Sequence, residues 1–248
     1  MESYSVDLGT YNLFNVSIDL IMIIEFTKMQ IGYNEYMFGA EMRIPLPENY
    51  PLTEVGTSEE VKSRGLFDSN IQLIDPKSNF GERLNITTSS TINLANFYNV
   101  AKERNIPITY EESVLFNGLG KRFICIAFPY IIDYFSLDPD DTTIVLQASG
   151  GSIRNDIDRL RIQKYILMGN NEIIQIYKTK YPEYFNYLIS TNYKFSLEEL
   201  VTLLVELENN EKLVHYYTMA FGFEPITYIS PDRLMATKLT TFLRNCNK

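Results

Sequence analysis

A chain of 248 residues with 45% hydrophobic side chains, 15 Phe and 18 Tyr holds enough apolar material for one large packed core or two small ones. Its 31 acidic and 22 basic residues leave a formal net charge of −9, which opposes a phosphate backbone and excludes nucleic acid as an expected partner. Two cysteines, Cys125 and Cys246, are too few for a disulfide framework and predict free thiols in a reducing, cytoplasmic compartment.

From the amino terminus, MESYSVDLGTY lacks the basic segment of an export signal. The apolar run 20–24 is bracketed by Asp19 and Glu25, far short of the ~18–20 residues of a membrane span, so no membrane association is expected. Residues 15–28 (NVSIDLIMIIEFTK) and 35–44 (EYMFGAEMRI) are rich in β-branched and aromatic side chains. The intervening Gly and Asn read as a turn, and the two segments are expected to pair antiparallel. Pro45, Pro47 and Pro51 break any regular element, after which Thr57 and Glu60 suit the cap of one helical turn. Residues 80–91 suit a strand. Ser90 then reads as the cap of a helix running to Lys102, with Leu94, Ala95, Tyr98 and Ala101 near helical spacing.

The segment 114–128 reads VLFNGLGKRFICIAF. Gly118 and Gly120 loosen the backbone immediately before an apolar run that predicts a buried helix, in which Pro129 is expected to cause a kink or an early end. Residues 142–151 (TTIVLQASGG) carry the short continuous apolar run of a strand covered on both faces. Helical patterns follow over 153–168, over 171–189 with an interruption at Pro182, and over 196–210, where Ser196 and Glu199 stand in capping-box spacing. The remainder reads as helix, turn, strand, turn, strand. With no internal repeat and no low-complexity linker, residues 1–248 are expected to form a single α/β domain.

Glycines without Cβ admit a ligand close to the main chain, and a helix that starts there directs free N–H groups and its positive dipole end into the loop. Lys121 and Arg122 add charge at that point, so a phosphate or pyrophosphate is the natural occupant. The P-loop pattern is excluded because Leu115 stands where its first glycine belongs and Arg122 where Ser or Thr belongs. A dinucleotide fingerprint is excluded by Phe123 in the place of its third glycine.

The order Leu115-x-x-Gly118-x-Gly120, a helix, the strand IVLQAS, then YYTMAFGFEP and a last strand LMATKL resembles the GNAT acetyltransferase superfamily. The resemblance implies a GNAT-like mixed sheet with flanking helices, 152–196 being a helical insertion before the C-terminal strands. It implies acetyl-CoA as cofactor, its pyrophosphate on the amides of Asn117, Gly118, Leu119, Gly120, Lys121 and Arg122. It also implies direct attack of an amine on the thioester, with a tyrosine before the Gly-Phe turn protonating the departing thiolate. Family spacing puts that tyrosine four residues before Gly222, where Thr218 stands, so Tyr217 and Tyr216 are the candidates, each with a packing role as the alternative. His215 is the only histidine, so no histidine triad or multi-histidine metal site is expected. Cys125 suits a small buried thiol, and Glu41, Glu111 and Glu112 suit a base or plain solvated charge. Two readings of function follow: N-acetyl transfer to an amine acceptor, small molecule or protein, or an inactive structural or interaction module of the same fold.

Overall fold

The computed structural model describes residues 2–13, 16–32, 35–47, 65–75, 87–99, 119–149, 156–192, 194–229 and 231–248, together with Glu82. Among them are eight strands: β1 (Ser3–Leu13), β2 (Val16–Gly32), β3 (Glu35–Ile44), β4 (Phe67–Ile74), β5 (Ser90–Asn99), β6 (Thr142–Ala148), β7 (Glu224–Ile229) and β8 (Asp232–Lys238). The helices are α1 (Leu119–Phe135), α2 (Asp156–Met168), α3 (Asn170–Lys180), α4 (Pro182–Ser190), α5 (Leu197–Phe221) and α6 (Leu239–Cys246). The fold class is α/β with a mixed sheet in the order β1-β2-β3-β4-β5-β6-β8-β7. The chain divides into two compact units, one of Met1–Val145 with Thr237–Lys248 and one of Leu146–Ala236.

In the first unit, β1 through β5 pair antiparallel in sequence order. The predicted hairpin is there, Ile24 facing Met42 and Phe26 facing Ala40. Its cause is strict alternation: Ile18, Leu20, Met22, Ile24 and Phe26 are buried, while Ser17, Asp19 and Ile21 are exposed. Helix α1 supplies the other half of this core. Phe123, Ile124, Ala127, Phe128 and Ile131 recur at helical spacing and are fully buried. The Phe123 ring lies 4.1 Å from that of Phe67, the Tyr134 ring stacks on Phe26 at 3.7 Å, and Tyr130 meets Tyr4 at 5.2 Å. Of these rings Phe67 and Phe123 are fully buried, and each stabilises by roughly 1.5–3 kcal/mol.

Three expectations are corrected in this unit. Ser90 does not cap a helix; it opens strand β5, in which Leu94 faces Ile71 and Ile92 faces Leu73 on the buried side of β4. Pairing with β4 outweighs the local helical spacing, as Thr91, Ile92, Phe97 and Tyr98 are strand formers. Helix α1 does not end early at Pro129 but runs six residues beyond it; Pro129 is exposed, so its ring meets water and the core face is undisturbed. The cysteines are not free: Cys125 on α1 and Cys246 on α6 form a disulfide across 121 positions, with Cα atoms 5.3 Å apart. Thr57, Glu60 and Pro107 lie outside the described residues.

The second unit is built on α2 through α5 with β7. Ile173, Tyr177, Tyr184, Leu188, Val201, Leu204 and Leu207 form its core. The predicted break at Pro182 separates α3 from α4. The predicted capping box is present: Glu199 N–H donates to Ser196 Oγ at 3.2 Å and Ser196 N–H to Glu199 Oε2 at 2.7 Å. Arg161 joins α2 to α5 by pairing with Glu208 while Asp158, one turn earlier on α2, holds it in place, and Tyr165 donates to Glu208 at 2.9 Å.

Candidate functional site

Residues just before β5 are tied to the start of β6. Thr88 Oγ1 donates to Thr143 Oγ1 at 2.9 Å, and Ser89 N–H donates to Asp141 Oδ1 at 3.1 Å. These contacts bring the beginnings of the two strands together, so β5 and β6 run parallel and the connection through α1 is a crossover. In sheets built from such units, ligands gather beyond the carboxyl ends of the strands, where crossover helices begin. The end of β5 at Asn99 and the start of α1 at Leu119 mark that region in the first unit.

The first turn of α1 contains no carboxylate, so nothing within the helix neutralises its positive end. Gly120 is buried in that turn and Lys121 is half-buried. Among the described residues Lys121 has neither a hydrogen-bond nor an ion-pair partner. Arg122 is different: its guanidinium donates to the Tyr11 hydroxyl and to the Leu8 carbonyl, the latter at 3.2 Å, and its centre lies 5.9 Å from the Tyr11 ring. Arg122 thus anchors α1 to β1, while Lys121 keeps its charge available. Asn117 and Gly118, with Leu115, lie outside the described residues, and Leu119 is the opening residue of α1.

A second feature of this end was not legible in the sequence. Ser69 on β4 faces Phe97 but Asn70 faces Ala95, so the ladder skips Asn96 and β5 bulges three residues before its end. Bulges re-aim a strand where a site interrupts regular pairing. Across from it, Asn70 Oδ1 is buried without a hydrogen-bond partner among the described residues. Asn70 lies on the sheet face opposite α1, since Phe67, Ser69 and Ile71 occupy the α1 side. Glu41 is its cross-strand neighbour on β3 and is exposed. Glu111 and Glu112 lie outside the described residues.

Tyr216 and Tyr217 belong to the second unit, on the last turns of α5. Tyr217 is buried, its ring 5.4 Å from Tyr216, 6.2 Å from Phe223 and 6.5 Å from Phe221. Burial pushes its phenol far above the ordinary range, and the Tyr216 hydroxyl is raised by burial too. Both phenols are thereby weaker acids than a solvated tyrosine. Thr218 and His215 are exposed. The helix ends at Gly222, whose φ of 78° only glycine adopts without strain; its N–H donates to the Thr218 carbonyl at 2.9 Å.

Among the described residues no group of three or more His, Cys, Asp or Glu is arranged to hold a metal ion. No helix among them is long and apolar enough to cross a membrane. No protein family, curated protein or solved structure matches the chain.

Proposed function

We propose that the chain is an N-acetyltransferase of the GNAT type, using acetyl-CoA to acetylate an amine by direct attack. The observation that carries the reading is the crossover from β5 through α1 to parallel β6, with the carboxylate-free first turn of α1 containing the buried Gly120 and Lys121, which has no partner among the described residues. Main-chain N–H groups at a helix start, with one ammonium beside them, suit a diphosphate. The bulge at Asn96 supports the same reading, because it interrupts the ladder where the strand nears this end. Further support comes from element order: β6 ends in Gln147-Ala148, α5 ends at the Gly222 turn, and β8 carries Met235 and Lys238. These downstream segments support the reading by their order of strand, helix and strand; Leu115 and Gly118 of the glycine loop lie outside the described residues. In this scheme Tyr217 donates the proton to the departing thiolate, and the acidic chain favours a cationic acceptor.

The second reading, an inactive interaction module of the same fold, is favoured by one observation: Arg122, half of the Lys-Arg pair, is committed to Tyr11 and Leu8. Calorimetry with CoA and acetyl-CoA separates the two. Binding is expected, and Lys121→Ala is expected to weaken it about tenfold, the effect of one charge-assisted contact to a phosphate. No detectable heat at millimolar cofactor leaves only the interaction module. Tyr217→Phe is expected to retain CoA affinity and slow acetyl transfer to a panel of polyamines and lysine peptides. Undiminished turnover removes Tyr217 from the mechanism.

A further inference from the structure

The bond between Cys125 and Cys246 ties the middle of α1 to the last turn of α6. Noncovalent anchorage of α6 is concentrated at its start. Leu239 and Phe242 are buried, and the Phe242 ring lies 4.4 Å from Phe128 on α1. Beyond Phe242 no residue is fully buried: Leu243, Asn245 and Cys246 are half-buried, and Arg244, Asn247 and Lys248 are exposed. The polar contacts there are local, Asn247 N–H to the Leu243 carbonyl at 3.3 Å and Lys248 Nζ to Asn245 Oδ1 at 2.9 Å. A helix of eight residues has no stability of its own in water. The disulfide is therefore what holds its last turn against α1.

Both cysteines are half-buried, so neither residue is sealed in the core. Thiol–disulfide exchange depends on access to the bond, and a disulfide not sealed in a core is open to it. We infer that Cys125–Cys246 is a thiol-responsive latch: reduction by a dithiol frees the last turn of α6 from α1, while the sheet and the remainder of α1 stay folded. In the exchange, one thiolate of the dithiol attacks a sulfur of the bond, giving a mixed disulfide and a cysteine thiolate. The second thiol of the reagent closes its own disulfide and releases the other cysteine. Two electrons and two protons pass from dithiol to protein, and the dithiol leaves oxidised. The inference is independent of the acetyltransferase reading, because it uses no residue of the cofactor site.

The test is hydrogen exchange on the full chain, read by mass spectrometry before and after native treatment with dithiothreitol. The expected result is a gain of two hydrogens and exchange at 243–248 faster by at least about tenfold, with β2, β3 and β4 unchanged. Reoxidation is expected to restore the slow pattern, and Cys246→Ser to show the fast one without reductant. The inference is overturned by a bond that native dithiothreitol leaves intact, by unchanged exchange at 243–248 after reduction, or by acceleration spreading into β2–β4.

Discussion

Asn210 sits in the middle of α5, 2% exposed, and its side-chain amide serves two acceptors at the β7–β8 turn. Nδ2 donates to the Pro231 carbonyl at 2.9 Å and to Asp232 Oδ1 at 3.1 Å, while the other oxygen of Asp232 accepts from Gln147 at the end of β6 at 2.5 Å. Asn210→Leu keeps the branching at Cγ and deletes both bonds. A neutral hydrogen bond is worth about 1 kcal/mol and one to a carboxylate about 1.5–3, so the loss is expected to be about 3 kcal/mol. In a unit of about 90 residues melting by itself that is a fall of roughly 12–24 °C in Tm; if all 248 residues melt together it is roughly 6–12 °C. Calorimetric unfolding measures it, and a double-mutant cycle with Asp232→Ala isolates the pair, with a coupling of about 1 kcal/mol or more expected. A total loss below about 0.5 kcal/mol, or coupling indistinguishable from zero, refutes the claim that Asn210 joins α5 to this turn.

Glu206, also on α5, has its carboxyl raised first by burial and then by the negative charge of Asp232. A carboxyl raised in the folded state contributes stability below the unfolded carboxylate range, near about 4.3, and loses it as pH rises through the folded value. Glu206→Gln is therefore expected to stabilise the chain at neutral pH and to give no gain in acid; urea midpoints across pH check this, and a gain equal at all pH values contradicts it. Pro129 interrupts α1 on its exposed side, so Pro129→Ala is expected to stabilise by about 1–3 kcal/mol by restoring a hydrogen-bond donor. A lower Tm in the Ala variant would mean that α1 is shaped around the proline.

What could be read from the sequence follows the range of the interactions involved. The β2–β3 hairpin was legible because one face is buried, so Ile18 through Phe26 alternate with polar neighbours. The helices of the second unit were legible because Ser196 and Glu199 cap α5 and Pro182 starts α4, all within one turn of chain. Strand β5 was not. Leu94, Ala95 and Tyr98 fit helical spacing as well as they fit a strand, and Ser90 imitates a cap. What decides is β4, whose Ile71 and Leu73 face Leu94 and Ile92 from about twenty positions away in the sequence. The disulfide was hidden for the same reason: 121 positions separate Cys125 from Cys246, and only the docking of α6 beside α1 brings them together.

The candidate site shows the same limit at the scale of two neighbouring residues. In the sequence, Lys121 and Arg122 are equivalent charges beside a glycine. On a helix, successive side chains point about 100° apart, so a single edge strand cannot engage both. Arg122 is the one turned toward β1, where Tyr11 and Leu8 take its guanidinium. Its planar fork can serve the hydroxyl and the carbonyl together, which a lysine ammonium on a flexible stem does less well. Lys121 is left with no partner among the described residues and with the mobile point charge that phosphate accepts. On the proposed reading the order Lys then Arg divides the labour: the second residue holds the helix against the sheet, and the first is left for a ligand. Exchanging the two residue types should therefore cost both stability and phosphate affinity, although the net charge is unchanged.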